Sequence, residues 1–360
     1  MRGGEKVLEA LIGLWPQADI FTLFYEPDEV SETIRRQRVF VSPLQKVPGA
    51  RRNYRRLLPL FPWAVGRFDL REYDLAISVS HCVAKSARAA SAQRHLCYCL
   101  SPMRYVWSQY EAYFRPGGAG WPSRAAMAVL REPLKRWDRR TSGRVGRFVA
   151  ISETVAERVR RAYGREARVI YPPVDTDFFS PGEPAEAGDY CLAVSAFVPY
   201  KRLDLAIEAC NGLRLPLKIV GKGPLEARLR RMAGPSVEFL GWVSAQRLRE
   251  LYRGCRALIF PGEEDFGIVP AEAQACGRPV LAYRGGGASE TVVEGRTGAF
   301  FDEQTPEALT EALSRFRPEA YDTAAMRQNA LRFSQRRFEA AFRNEAEEFL
   351  KRRTGSAERV

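Results

Sequence analysis

The segment Pro261-Gly-Glu-Glu264-Asp-Phe-Gly267-Ile-Val-Pro-Ala-Glu272-Ala-Gln-Ala-Cys-Gly-Arg-Pro279 decides the reading of this chain. Its glutamates Glu264 and Glu272 stand eight residues apart, on either side of Gly267. An apolar run opens directly behind the glycine, so a loop is expected to enter a helix there, with Asp265 as its cap. Gly267 admits close approach of a ligand to the backbone. The next amides, of Ile268 and Val269, then point out of a helix N-terminus, where an anion is favoured. Glu272 falls about one turn into that helix, within reach of hydroxyls on the same ligand. Amides for a phosphate and carboxylates for hydroxyls together point to a nucleotide sugar. By themselves the two glutamates fit equally an acidic helix N-terminus, and it is the surrounding residues that favour a ligand.

Outward from this segment, apolar runs alternate with helical patterns in both directions. Upstream, residues 18–24, 75–80, 94–99, 147–151 and 167–171 read as strands, and 5–14, 125–140 and 153–163 read as helices. Strands restart at 190–194, 217–220, 237–240, 257–260 and 280–283, each followed by a helix or a glycine loop, and 318–351 reads as mostly helical. Such alternation predicts βαβ units and parallel sheets covered on both faces. Between the two halves, Tyr171-Pro-Pro-Val-Asp-Thr-Asp-Phe-Phe-Ser-Pro-Gly-Glu-Pro184 reads as a semi-rigid hinge. The expected organisation is α/β: a first domain over 1–172, a hinge over 173–189, a second domain over 190–335, and a closing helix over 336–360. In open parallel sheets the ligand sits at the C-terminal ends of the strands. Glu264, Gly267 and the glycine loops at 221–223 and 285–287 all follow predicted strands directly.

These residues resemble glycosyltransferase family 4, the retaining GT-B enzymes with a Glu-x7-Glu signature. Several other stretches share the resemblance: Met1-Arg-Gly3-Gly4-Glu-Lys, Ser78-Val-Ser-His81-Cys, Cys97 to Trp107, Tyr171 to Asp175, Pro199-Tyr-Lys201-Arg202-Leu-Asp204, and Val220-Gly-Lys222-Gly-Pro224. The resemblance covers most of the chain and is more specific in its C-terminal half. It implies two doubly wound Rossmann-like domains facing a central cleft, and a last helix that braces the first domain. It further implies transfer of a sugar, with mannose from GDP-mannose leading, from a nucleotide-diphospho-sugar to a lipid-linked or polysaccharide acceptor. The anomeric configuration would be retained, without a metal or other cofactor.

By resemblance, Glu264 approaches the donor sugar, Glu272 takes the ribose hydroxyls, and Lys201 contacts the donor phosphates with Arg202 beside it. Lys222, Trp242 and Val243 would border the donor, with a buried core position as the alternative for Trp242. Gly3 and Gly4 would meet a phosphate or the acceptor. Two departures stand out. Alanine occupies position 196, near which the family carries an arginine, and Leu100 stands where the family often has a histidine tied to the reacting sugar. That role would fall to His81. A doubly wound domain also opens with a strand before its first glycine loop, whereas here Gly3 follows Met1 almost at once. The absent strand would leave its neighbours without ladder partners. These departures motivate a rival reading, a non-catalytic GT-B protein with an intact donor pocket.

Composition bounds the rest. The chain has 360 residues, 46% of them hydrophobic, which suits two folded domains. No apolar stretch is long enough to span a bilayer, and no signal sequence opens the chain. Seven scattered cysteines favour a reducing compartment over a disulfide framework. The net charge of +13 argues for an anionic partner. Between Ser31 and Tyr73 ten Lys/Arg face only Glu32, Asp69 and Glu72, and among them Arg51, Arg52, Arg55 and Arg56 alternate with Tyr54, Leu57, Leu58, Leu60, Phe61 and Trp63. Basic charge interleaved with apolar residues suits an anionic membrane surface or lipid acceptor, and hence a peripheral protein at the cytoplasmic face. A basic membrane or nucleic-acid binding protein is the remaining alternative, and no nucleic-acid motif accompanies the charge. Two metal decoys are set aside. Asp175-Thr-Asp177 lies in the hinge, and His95, Cys97 and Cys99 share one face of a predicted buried strand.

Overall fold

The computed structural model describes residues 3–50, 54–108, 110, 114, 120–182 and 188–357. Arg51 and Arg52, and the side chains of Arg55 and Arg56, lie outside the described residues. The chain divides into two compact units. Unit 1 is Met1–Pro173 with Phe338–Val360, and unit 2 is Val174–Arg337.

Unit 1 opens with the helix Gly3–Leu14 and carries strands β1 (Ile20–Thr22), β2 (Val39–Val41), β3 (Asp69–Leu70), β4 (Ala76–Ser80), β5 (Arg88–Ala89), β6 (His95–Cys99), β7 (Arg147–Ala150) and β8 (Ala167–Val169). Among the described residues all its pairings are parallel, and four strands form one ladder in the order β4-β6-β7-β8. Among the described residues β1 pairs only with β2 and β3 only with β5, so the pairing of this unit is divided among separate ladders. Strand β6 is buried along its whole length, His95 included, as a strand covered on both faces must be. The helix Glu153–Tyr163 shows local control of its ends. Ser152 Oγ accepts from Val155 N at 3.1 Å, and Gly164 closes the last turn at a φ of +65°.

The final helix, Gln335–Ala357, packs on unit 1 from Phe338 onward. Tyr98 meets Phe338 and Phe342 edge-on at centroid distances of 5.6 Å each. Glu345, buried, receives Arg147 at 2.6 Å and Arg168 at 2.5 Å. Beneath the helix Trp121–Thr141, the buried Lys85 pairs with Asp138 at 2.9 Å, and Trp107 and Tyr163 donate to the second oxygen of the same carboxylate at 2.8 Å each. A buried ion pair persists only with such added donors.

Unit 2 holds β9 (Cys191–Val194), β10 (Leu217–Val220), β11 (Val237–Gly241), β12 (Ala257–Phe260), β13 (Val280–Tyr283) and β14 (Gly298–Phe301) in one parallel sheet ordered β11-β10-β9-β12-β13-β14. The chain runs outward from β9 to β11, returns beside β9 as β12, and runs outward again. Its order therefore reverses between β9 and β12. That is the switch point at which an open parallel sheet leaves a crevice beyond its strand ends. Apolar clusters fill both faces of the sheet. Leu203, Ile207 and Leu309 belong to one, and Tyr252, Ala273 and Ala288 to the other.

Strands β2, β3, β5 and β14 have no counterpart in the pattern reading. Each is short or lies beside a turn, and a run of two to four residues carries no readable period. All seven cysteines are free and buried.

Candidate functional site

The loops after β9 and β12 meet at the switch point. The first makes a short helical turn, Pro199–Lys201, and the second contains Glu264. Lys201 Nζ forms an ion pair with Glu264 Oε1, both side chains being largely buried. Val194, Ser195, Phe260, Pro261 and Gly262 line the small crevice of about 10 Å³ beside the pair. This is the pairing that the strand order produces, because β9 and β12 are neighbours only in the folded sheet.

Behind Glu264 the chain turns into the helix Ile268–Ala275. Gly267 occupies its N-cap with a φ of +96°, a conformation that glycine takes without strain. The N-cap position of this helix belongs to Gly267, which has no side chain, and the buried Asp265 lies two residues before it. The amides of Ile268 and Val269 have no intrahelical acceptor, as in any first turn. Pro270 in the same turn sacrifices no intrahelical bond. Glu272 is 4% exposed, and its Oε2 accepts from Tyr252 Oη at 2.9 Å. Burial, followed by the charge of Glu272, pushes the Tyr252 phenol well above its usual range, so Tyr252 is a fixed donor to the carboxylate. Nothing in the sequence marks Tyr252 for this, since its helix Ala245–Gly254 reads only as amphipathic. The far end of the Glu272 helix is tied by Gln274, which donates to Thr291 O at 2.9 Å and accepts from Asn329 at 2.6 Å.

The triple glycine Gly285-Gly286-Gly287 braces the glutamate loop itself. Gly287 N donates to Glu264 O at 2.8 Å, and Glu264 bridges to Gly286. A Cβ on Gly287 would sit 2.2 Å from Phe266 Cα, so the close approach these glycines permit is to the backbone of residues 264–266. The loop Gly221-Lys222-Gly223 is likewise held, by Gly221 N to Gly241 O at 2.8 Å and Phe197 N to Lys222 O at 3.0 Å.

The remaining donor-side expectations divide. Lys222 is exposed near the end of β11. Trp242 is 74% exposed, so the buried-core alternative for it is overturned, while Val243 packs partly against the core. A tryptophan in an apolar context reads as core, but the left-handed Gly241 ends β11 just before it. Arg202 is engaged elsewhere. Its Nε reaches Asp204 Oδ1 at 3.2 Å and its Nη1 donates to Gln304 O at 3.1 Å.

In unit 1, Gly3 and Gly4 form the first turn of the opening helix, and Leu100 Cδ1 lies 3.2 Å from where a Cβ on Gly4 would be. Leu100 N donates to Ser80 O at 2.8 Å, which ties the loop after β6 to the residue before His81. His81 itself is exposed at the end of β4. Gly4, Leu100 and the start of the His81 loop thus gather at one end of this unit's sheet. His95, by contrast, is fully buried between Ser78 Oγ at 2.9 Å and Arg144 O at 3.2 Å. The basic segment is less free than its composition suggests. Arg36 pairs with Glu32, Arg38 with Asp19, and Arg71 with Asp69.

Two family models match the chain. Residues 1–178 match Glycosyltransferase Family 4, and residues 175–333 match Glycosyl transferases group 1. The GDP-mannose-dependent alpha-(1-6)-phosphatidylinositol monomannoside mannosyltransferase of Mycolicibacterium smegmatis is 34% identical over 206 residues, which cover 49% of this chain and 54% of that protein. The O-antigen chain mannosyltransferase C of Escherichia coli is 31% identical over 162 residues, 43% of each chain. The chain thus spans about half the length of the curated relatives it matches. Among solved structures, Anabaena Alr3699/HepE in complex with UDP and glucose superposes with a TM-score of 0.66 at 16% identity over 96% of both chains. The sucrose-phosphate synthase of Thermosynechococcus elongatus gives 0.66 at 21% identity over 98% of this chain and 91% of that one. The fold is therefore GT-B, with two parallel Rossmann-like sheets, and the chain belongs to the group 1/family 4 glycosyltransferases.

Proposed function

We propose that this protein transfers a sugar from a nucleotide-diphospho-sugar to an acceptor hydroxyl with retention of configuration, and that unit 2 binds the donor. The observation that carries the reading is the Lys201–Glu264 pair at the switch point, beside the helix that begins after Gly267. Transfer breaks the bond between the anomeric carbon and the diphosphate and forms one to the acceptor oxygen. The leaving diphosphate gathers negative charge, and a fixed ammonium with first-turn amides stabilises that charge without a metal. Lys201 exchanges the Glu264 carboxylate for the diphosphate, which leaves Glu264 beside the donor sugar. Glu272, held by Tyr252, takes the ribose hydroxyls. The matches to mannosyltransferases support GDP-mannose as the donor.

The acceptor is a lipid-linked glycan reached from a membrane surface. Trp63 and Trp121, 53% and 77% exposed, support this, together with exposed Leu60 and Val129 and the neighbouring basic residues. Tryptophan beside basic residues suits the boundary of an anionic bilayer. Among the described residues no helix is long and apolar enough to cross one.

The test is release of nucleotide from GDP-mannose and UDP-sugars, with phosphatidylinositol-type and polyprenyl-linked acceptors in anionic vesicles. Turnover of GDP-mannose that depends on Lys201 supports the reading. Donor binding without turnover on any acceptor replaces it with the non-catalytic one, for which Leu100 packed at Gly4 is the structural motive. Transfer unaffected by Glu272→Ala with a soluble acceptor analogue sinks the donor assignment.

A further inference from the structure

Unit 2 carries a second concavity, at the end of its sheet opposite Lys201 and Glu264. It holds about 440 Å³, and its lining includes Asp189, Arg256, Arg278 and Pro279, which precede β9, β12 and β13, with Tyr321 and Met326. All of its lining residues belong to unit 2. The volume lies in the range of small-molecule sites and is far more than a lone ion fills.

Its charges are graded. Arg256 and Arg278 are half-buried, whereas the two lining carboxylates, Asp189 and Glu319, are exposed. The Nε of Arg278 is shielded from solvent and has no hydrogen-bond partner. Among the described residues neither guanidinium makes a side-chain hydrogen bond or an ion pair. Among the other half-buried arginines of unit 2, Arg253 donates to Ser180 O at 2.7 Å and Arg327 to Phe179 O at 2.7 Å, whereas Arg249 shares an unpartnered Nε but anchors its Nη1 on Phe178 O at 3.3 Å. A shielded donor without an acceptor is costly and rare, and it calls for an explanation such as an absent ligand. A pair of guanidinium forks matches the oxygens of a phosphoryl group. The exposed carboxylates suit hydroxyls, and Pro279, Tyr321 and Met326 offer apolar surface to a ring.

We propose that this concavity binds a small sugar phosphate, its phosphoryl group held by Arg256 and Arg278. The site shares no lining residue with the crevice beside Lys201 and Glu264.

The test is calorimetric titration and thermal denaturation of the full chain with glucose 1-phosphate, glucose and inorganic phosphate, with hydrogen exchange on the unmodified protein. Glucose 1-phosphate is expected to raise Tm by about 3 °C at saturation, and glucose is not. Arg278→Gln and Arg256→Gln each weaken its binding about tenfold. The ligand protects the amides of 277–280 and 318–326, and excess GDP or UDP leaves it bound. Protection confined to 262–272, or displacement by GDP or UDP, overturns the site. So does equal affinity in the Arg256→Gln/Arg278→Gln double variant, or an absence of binding. Inorganic phosphate binding as tightly as glucose 1-phosphate overturns the sugar. Exchange on the unmodified chain locates the ligand even if a variant folds poorly.

Discussion

Lys201 and Glu264, on loops that follow β9 and β12, are joined in an ion pair at the one place where the order of the unit 2 sheet reverses. Lys201→Ala removes the cation and is expected to lower nucleotide release by about 10² to 10³-fold, the cost of losing one charge-stabilising donor. Both side chains are largely buried, so leaving Glu264 without its cation should also lower the melting temperature by a few degrees. Steady-state release of nucleotide read beside thermal denaturation separates the two effects. A large loss of stability with unchanged turnover would mean that the pair is only a brace.

Tyr252 Oη donates to Glu272 Oε2 in the interior of the same unit. Tyr252→Phe keeps the ring and removes the donor, at an expected cost of about 1–3 kcal/mol because a buried carboxylate loses one of its hydrogen bonds. Urea unfolding measures it. The variant should also bind GDP more weakly, since the carboxylate loses its fixed orientation. Unaltered GDP affinity in a destabilised variant would place the hydrogen bond in the fold alone.

Gly287 leaves no room for a side chain, with the position of a Cβ 2.4 Å from Phe266 O. Gly287→Ala therefore pushes on the backbone between Glu264 and Gly267. About 1–3 kcal/mol of stability should be lost, as in an overpacked core. GDP affinity should fall together with it. A calorimetric titration of folded Gly287→Ala that matched the unmodified chain would show that the segment yields without consequence.

His95 is held neutral. Burial brings its imidazole down to about 4, against about 6.5 in an unfolded chain. The folded state thus resists a proton that the unfolded state accepts. The stability tied to the neutral ring is complete above about pH 6.5 and is lost as pH falls towards about 4. Urea unfolding at pH 7.5 and pH 5 should differ by about 2 kcal/mol from this group. The only other histidine is the exposed His81, so His81→Gln should keep the whole difference. If His81→Gln abolished it, the assignment to His95 would fail.

Most of the architecture is legible in the sequence. Strands at 217–220, 257–260 and 280–283 and the helix at 153–163 fall where the pattern put them, because an apolar run or a 3.6-residue period is written into consecutive residues. The short β14 was not legible, since a pairing partner makes a strand of Gly298–Phe301 and its own residues do not. The loop-to-helix entry at Gly267 was legible because positive φ selects glycine there. That Gly267 and not Asp265 takes the N-cap position was not, because where the loop ends and the helix begins depends on the path of the loop.

What the sequence determined by itself was therefore local: the βαβ alternation, the hinge at 171–184, and a carboxylate pair with a helix start between its members. Only the tertiary structure decided what meets what. It joined Glu264 to Lys201, gave Glu272 a donor in Tyr252, turned the triple glycine onto the glutamate loop, and left Trp242 exposed. The reason is physical. Periodicity and turn chemistry act between residues a few positions apart, whereas an ion pair or a buried hydrogen bond depends on strand order, which nothing local in the chain encodes.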